Sequence, residues 1–375
     1  MKTKYSLVII LIALCALPHC TRKFRLKRGE EVPPSDWVFA RRNPQATGMI
    51  QSEFGGMLNV RWEDKISDAP IGPMTIGAGK LILPGSRGRV YFFDLATGKY
   101  RGRYKARSGI QTGLAVIDSL AYFGVGPPKN LLVCLNLHNR RVLWKADLKD
   151  VSGPPIIVDN RLYAASSSKE IYCFDRLNGN VLWSDSAGAI SGAGPSYGSG
   201  TVYFPFDDGS LRGYDAMTGK LIFSSMLDQA LLSKAAIDDH VYAAGIDGGF
   251  FALARGTGEP VWTRRFDWPI WTAPAVGERL VYVGDSHGFL WALDKADGTI
   301  VWEFATDGVI LASPIVVGEM VVFASLDRGL YCLEKNTGQL ISRRSYDHEI
   351  RFPAVSSGGA IFVALQDGSI QCLGE

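Results

Sequence analysis

Residues 292–302, ALDKADGTIVW, decide the fold, because the chain writes this phrase repeatedly. CFDRLNGNVLW ends at Trp183, CLNLHNRRVLW at Trp144 and ALARGTGEPVW at Trp262. The third position of the phrase falls on Asp94, Asn136, Asp175, Asp215, Ala254, Asp294, Glu334 and Gly374. The steps between them are 42, 39, 40, 39, 40, 40 and 40 residues. A period of about 20–50 residues marks a solenoid, a propeller or an array.

Each period holds four short apolar runs. In the sixth they are TAPAV, RLVYVGD, FLWALD and TIVWEFA, separated by GE, SHG and KADG. Runs of this length between Gly- and Asp-containing turns read as antiparallel hairpins. The recurrent Asp accepts backbone N–H bonds inside its turn, and the Gly four residues later takes positive φ. Arg140 stands at that glycine position in the second unit, so a distorted turn is expected there. Helical repeats would show a 3.6-residue apolar period, and none is visible.

Eight inner-strand starts can be read, from GPMTIGA (72–78) to FPAVSSG (352–358). The last unit ends after its third strand. LNVRWEDKI (58–66) carries Trp62 where a fourth strand carries its tryptophan, so it supplies the missing strand. The expectation is an all-β, eight-bladed propeller of four-stranded antiparallel blades, in which an N-terminal strand completes the last blade and leaves few open edges.

Charge and hydropathy set the N-terminus apart. Residues 1–42 hold nine Lys or Arg and three acids, an excess of six that leaves the remainder at −3 against a whole-chain +3. A weakly acidic body lacks the electrostatic footprint of a nucleic-acid binder. MKTK and the apolar run YSLVIILIALCALP read as a secretory signal, too short for a comfortable membrane span. Cys20 stands where a bacterial lipoprotein signal places its lipidated cysteine, although His19 replaces the usual small residue before it. The expected organisation is a lipoprotein-type signal over 1–20, a tether and lead-in over 21–56, and the propeller over 57–375.

The phrase resembles the tryptophan-docking motif of the PQQ-type repeat propellers, over about residues 35–375, and SDWVFARRNPQATG (35–48) resembles their lead-in segment. The resemblance implies that a small residue at position one lets the aromatic at position eleven pack against the neighbouring blade. Position one is Phe92, Cys134, Cys173, Gly213, Ala252, Ala292, Cys332 and Cys372. The docking aromatics are Trp62, Trp144, Trp183, Phe223, Trp262 and Trp302; Gly102 and Ser342 take the place in units one and seven, which are expected to be the weaker joints. On this reading the phrase is structural. The four cysteines lie in third strands of different blades, too far apart for disulfides, and are expected as buried free thiols.

Two functions compete within that superfamily. Quinoprotein dehydrogenases hold PQQ and usually calcium in the funnel, with a carboxylate base, acidic and amide metal ligands and often adjacent cysteines. This chain has no adjacent cysteines, and its five histidines (19, 138, 240, 287, 348) lack metal-ligand spacing. No catalytic, cofactor or metal residue is expected. The length and signal look instead like the lipid-anchored, non-catalytic accessory propellers of the outer-membrane β-barrel assembly machinery. That resemblance implies a scaffold at the outer membrane, facing the periplasm, whose partners are envelope proteins. A PQQ-dependent dehydrogenase, or a propeller with another small ligand in its funnel, is the alternative.

The loops that precede the inner strands, here the inlet loops, share one face of the ring. Each carries an apolar residue (Ile71, Ile110, Val151, Ile190, Leu231, Ile270, Ile310, Ile350), expected for the most part to cap the core. FDWPIW (266–271) adds Trp268 and Trp271 outside the docking position, with Pro269 to stiffen the loop. Trp268, Ile270 and Trp271 are therefore the candidate partner contacts. Asp347 and Arg351, read as one blade on, are expected to add a charged rim, with Lys234 a weaker candidate.

Overall fold

The aspartate of the repeated phrase folds its own turn. In the computed structural model, Oδ1 of Asp175 accepts the amides of Leu177 and Asn178 at 2.8 and 3.2 Å, and Asp215 holds Met217 and Thr218 in the same way. Gly298 then takes φ +72°, and the outer strand begins. Arg140 adopts the same left-handed conformation at φ 56°, so the glycine's backbone geometry survives without glycine.

The structure describes Phe39 and residues 41–106 and 108–375. Its strands form eight sheets, each built on four antiparallel strands, with one further strand on the sheet of blade seven. In chain order the blades cover 75–105, 115–147, 156–186, 196–226, 236–265, 275–305, 315–345 and 355–374. Blade eight is completed as expected: Asn59–Lys65 pairs antiparallel with Ser369–Gly374, and Trp62 sits opposite Cys372. Cys20 and the tether up to residue 38 lie outside the described residues.

Neighbouring blades meet through an indole laid on a glycine. Trp262 of blade five covers Gly298 of blade six, where an added Cβ would lie 2.6 Å from the ring. Trp62, Trp144, Trp183 and Trp302 likewise cover Gly98, Gly179, Gly219 and Gly338, and Phe223 covers Gly258. Each aromatic pairs across its own hairpin with the small position-one residue, as Trp302 does with Ala292. The indole N–H then reaches into the next blade: Nε1 of Trp144, Trp183, Trp262 and Trp302 donates to the carbonyls of Arg176, Ala216, Lys295 and Lys335 at 2.8–3.0 Å. Three of these carbonyls also accept a buried tyrosine hydroxyl, from Tyr122, Tyr163 and Tyr282.

The two joints without an aromatic are rebuilt rather than left open. Between blades one and two the sizes are exchanged. Phe92 faces Gly102 across the hairpin, and the Arg140 guanidinium fills the space over Gly102. Between blades seven and eight, Ser342 donates to the carbonyl of Gly56, so the lead-in supplies the partner.

The lead-in does more than sequence indicated. Met49–Ile50 adds a fifth, parallel strand to the inner edge of blade seven. Before it, the carbonyls of Pro44, Gln45, Thr47 and Gly48 accept, in order, the amides of Tyr197, Ile237, Val276 and Val316 at 2.8–2.9 Å. Those four amides belong to the inner strands of blades four, five, six and seven. Ser52 Oγ continues the series with Gly359 of blade eight at 2.8 Å. Backbone groups along the axis that would otherwise lack partners are thus satisfied across five blades.

Cys134, Cys173, Cys332 and Cys372 are free and buried. Burial pushes the thiols of Cys134 and Cys372 up to about 11 and that of Cys332 to about 12.

Trp302→Ala should therefore lose about 3–5 kcal/mol of stability in urea unfolding. Arg140→Gly should destabilise by about 1–3 kcal/mol, and Gly102→Trp should cost at least as much, because Phe92 faces it and Gly102 holds φ +125°. Aromatic-thiol exchange on the protein lacking residues 1–20 should find no reactive cysteine when native, and all four after denaturation.

Candidate functional site

The inlet loop of blade six is fixed before it presents anything. Thr272 Oγ1 accepts the Gly284 amide at 2.9 Å and donates to the Gly284 carbonyl at 2.8 Å. The Ser286 amide donates to the Pro269 carbonyl at 2.9 Å. Ile270, expected among the partner contacts, is 1 % exposed in the core between blades five and six and touches no outside surface. Its burial anchors the loop, and most of the other apolar inlet residues are buried in the same way.

That anchor sends the two tryptophans in different directions. Trp268, 44 % exposed, stacks on His287 with ring centroids 4.2 Å apart and planes 11° from parallel. The stack continues through Phe289 and Trp291 to Phe266. Asp285, fully buried, holds it by accepting the amides of His287 and Phe289 and the indole N–H of Trp291 at 2.8–2.9 Å. His287, Phe289 and Trp291 escaped the sequence reading. Their signal was the alternation 289, 291, which places Phe289 and Trp291 on one face of the strand Phe289–Asp294, with His287 in the turn just before it.

Trp271 turns to the axis instead. It lines a cavity of about 210 Å³ with Arg41, Leu232, Ser233, Lys234 and Ser313, floored by small residues and prolines from the other blades. Arg41 is 4 % exposed and comes from the lead-in. Its Nη1 donates to the Pro314 carbonyl at 2.9 Å and its Nη2 to the Pro274 carbonyl at 2.7 Å, while Nε has no partner. It packs against Gly48, where a side chain would collide with the guanidinium. Lys234 is 6 % exposed, so it is not the rim residue that sequence suggested; its Nζ donates to the Pro195 carbonyl at 2.9 Å.

Two buried cations thus face one space, and among the described residues no Asp, Glu, Asn or Gln lines it. Desolvation, and then the charge of Arg41, bring the Lys234 ammonium down to about 7; desolvation brings Arg41 to about 9. Without carboxylate or amide oxygens this wall does not fit a PQQ–calcium pair. The cavity is also below the roughly 300–1,000 Å³ of ordinary small-molecule pockets. Among the described residues no group of three or more His, Cys, Asp or Glu is placed to hold a metal ion.

Asp347 and Arg351 lie in the inlet loop of blade eight, two blades from blade six rather than one. Both are exposed, and Arg351 Nε is bonded to Glu349 at 2.7 Å. They do not join the aromatic stack in one patch.

Lys234 has a stability consequence with a definite sign. Its folded pKa lies below the unfolded one, so the unfolded chain binds more protons between pH of about 7 and 10.5. The destabilisation is complete below about 7 and fades as pH rises towards 10.5. Lys234→Met should stabilise the fold by on the order of a few kcal/mol, most strongly at pH 6, and so raise Tm most there. Thermal melts of both proteins from pH 6 to 10 check this.

Comparison with known proteins gives a consistent fold and two kinds of relative. A family model described as outer membrane protein assembly factor BamB matches residues 86–236 and 227–351. The outer membrane protein assembly factor BamB of Burkholderia pseudomallei is 26% identical over 180 residues, 43% of this chain and 46% of that protein. The dehydrogenase subunit of a quinone alcohol dehydrogenase from Komagataeibacter europaeus is 28% identical over 165 residues, 37% of this chain and 22% of that protein. The matched stretches span less than half the length of either curated relative. Among solved structures, BamB from Moraxella catarrhalis superposes with a TM-score of 0.70 at 19% identity, covering 85% of this chain and 98% of that one. A europium-containing methanol dehydrogenase superposes with a TM-score of 0.75 at 12% identity, covering 88% and 89%. At such identities the superpositions show the propeller fold alone.

Proposed function

The chain belongs to the family described as outer membrane protein assembly factor BamB, and from that membership we propose that it is a non-catalytic scaffold of the bacterial cell envelope. In this reading Cys20 carries a lipid anchor, the propeller faces the periplasm at the outer membrane, and the protein assists assembly of outer-membrane proteins by docking to the β-barrel assembly machinery. The observation that carries the non-catalytic reading is the narrowed axis. The lead-in bonds to the inner strands of four blades and to a turn of the fifth, and inserts Arg41 where a quinone cofactor would need an open seat. The dehydrogenase relatives favour the other branch, but the cavity wall lacks the oxygen ligands that chemistry needs.

Docking is assigned to the inlet face, on Trp268 and Trp271, with Asp347 and Arg351 at a separate edge. Both tryptophans are nearly half exposed on a loop whose backbone is already fixed, so little ordering entropy opposes a partner there.

In affinity capture of the barrel-assembly complex from solubilised envelopes, Trp268→Ala and Trp271→Ala should each weaken binding by about thirtyfold while Tm stays within a few degrees. Equal capture by both variants would move the docking surface off this face. PQQ with Ca²⁺ should leave Tm unchanged; saturable stabilisation followed by dye-linked alcohol oxidation would overturn the scaffold reading.

A further inference from the structure

The axial cavity raises a question that docking does not answer. Buried charges in proteins are paired, hydrogen-bonded or neutralised. Here a guanidinium and an ammonium, each more than nine-tenths buried, face one space that no carboxylate lines among the described residues. Their known acceptors are three backbone carbonyls, which leave most of their N–H donors unused. Arg41 Nε and Ser233 Oγ, both buried in the cavity wall, have no partner at all. Donors of positive charge without acceptors describe half of an anion site.

We propose that this cavity binds one small free oxyanion, a carboxylate or phosphate group, gripped between Arg41 of the lead-in, Lys234 and Ser233. Size and chemistry agree. About 210 Å³ holds a phosphate or a short dicarboxylate but not a fused-ring cofactor. Arg41 offers a planar fork suited to an oxyanion, Lys234 a mobile point charge, and Ser233 a neutral hydroxyl donor. The site is assembled from two distant parts of the chain, so the anion would also pin the lead-in to the blade-five loop. Trp271 stands beside the opening on the inlet face, which gives the ligand a route from solvent. This proposal concerns the axis and does not rest on the docking reading, although Trp271 borders both places.

Proton linkage provides the signature. Among the described residues Arg41 is the other charged residue lining the cavity, so the anion meets two cations and no acid there. Lys234 is about half protonated near neutral pH, and an anion beside it holds the proton on. Binding should therefore take up protons near pH 7 and weaken as pH rises.

The test is calorimetric titration of the full propeller with inorganic phosphate and, separately, succinate, at pH 6.5 and 8.5, with chloride matching ionic strength. The expected result is one site for at least one of the two anions, at least tenfold tighter at pH 6.5, with proton uptake that depends on buffer ionisation heat. Lys234→Met should weaken binding at least tenfold, whereas Lys234→Arg should retain it and lose most of the pH dependence. Arg41→Met should also weaken it; should that variant not fold, the Lys234 pair and the wild-type pH profile decide. Absence of saturable heat above the chloride control for both anions, or undiminished binding by Lys234→Met, overturns the proposal.

Discussion

The ring depends on an aromatic side chain laid over a glycine of the next blade. The contact is open only to glycine, because a single added carbon would lie well inside van der Waals distance of the indole. It is also an interaction that neither blade can make alone. A sheet of four strands buries one face against each neighbour, so the aromatic contributes only when both blades are in place. The shared carbonyl sharpens this. Lys335 O accepts both Trp302 and Tyr282, so one backbone group of blade seven fixes two side chains of blade six. Area burial pushes the blades together without direction, and these hydrogen bonds set how far each blade turns relative to the last.

Much of this was legible because it repeats. The period, the blade count, the turn aspartates and the strand that closes blade eight all follow from a pattern written eight times, and side-chain size at positions one and eleven carries it. What stayed hidden is what occurs once. Gly102 and Arg140 each broke the pattern, and each suggested a local flaw. The structure shows one joint in which bulk moved from one blade to the next, so two apparent defects compensate each other. No single-blade alignment shows that, because the partners belong to consecutive copies of the repeat. Arg41 was hidden for another reason. It sits among the basic residues of the N-terminus, and a charge count treats it as part of a solvated tether, whereas its backbone neighbours carry it into the axis.

The lead-in was illegible on physical grounds as well. Its bonds to the inner strands are made by main-chain carbonyls, which every residue possesses, so no side-chain pattern announces them. Their logic appears only after the ring is closed. Inner strands crowd towards the axis with one edge unpaired, and a segment that advances about one residue per blade can satisfy a donor at each step. The arrangement is uneven, since the bonds run from blade four to blade eight and the described lead-in gives none to blades one to three. The ring therefore has a reinforced arc, and the inlet loops of blades five and six, with Lys234, Trp268 and Trp271, belong to it.

That placement ties the face to the axis through one side chain. Ile270 is sunk into the core and Trp268 leans outward on its aromatic stack, but Trp271 is shared: it is exposed on the inlet face and lines the cavity that holds Arg41 and Lys234. A partner seated on Trp271 would change solvent access to two buried cations, and an anion neutralising those cations would change the surface that partner meets. Free energies of binding at two such places are coupled reciprocally, whatever the sign. Here the axis holds charge close beneath a proposed docking surface, where occupancy inside can be read outside.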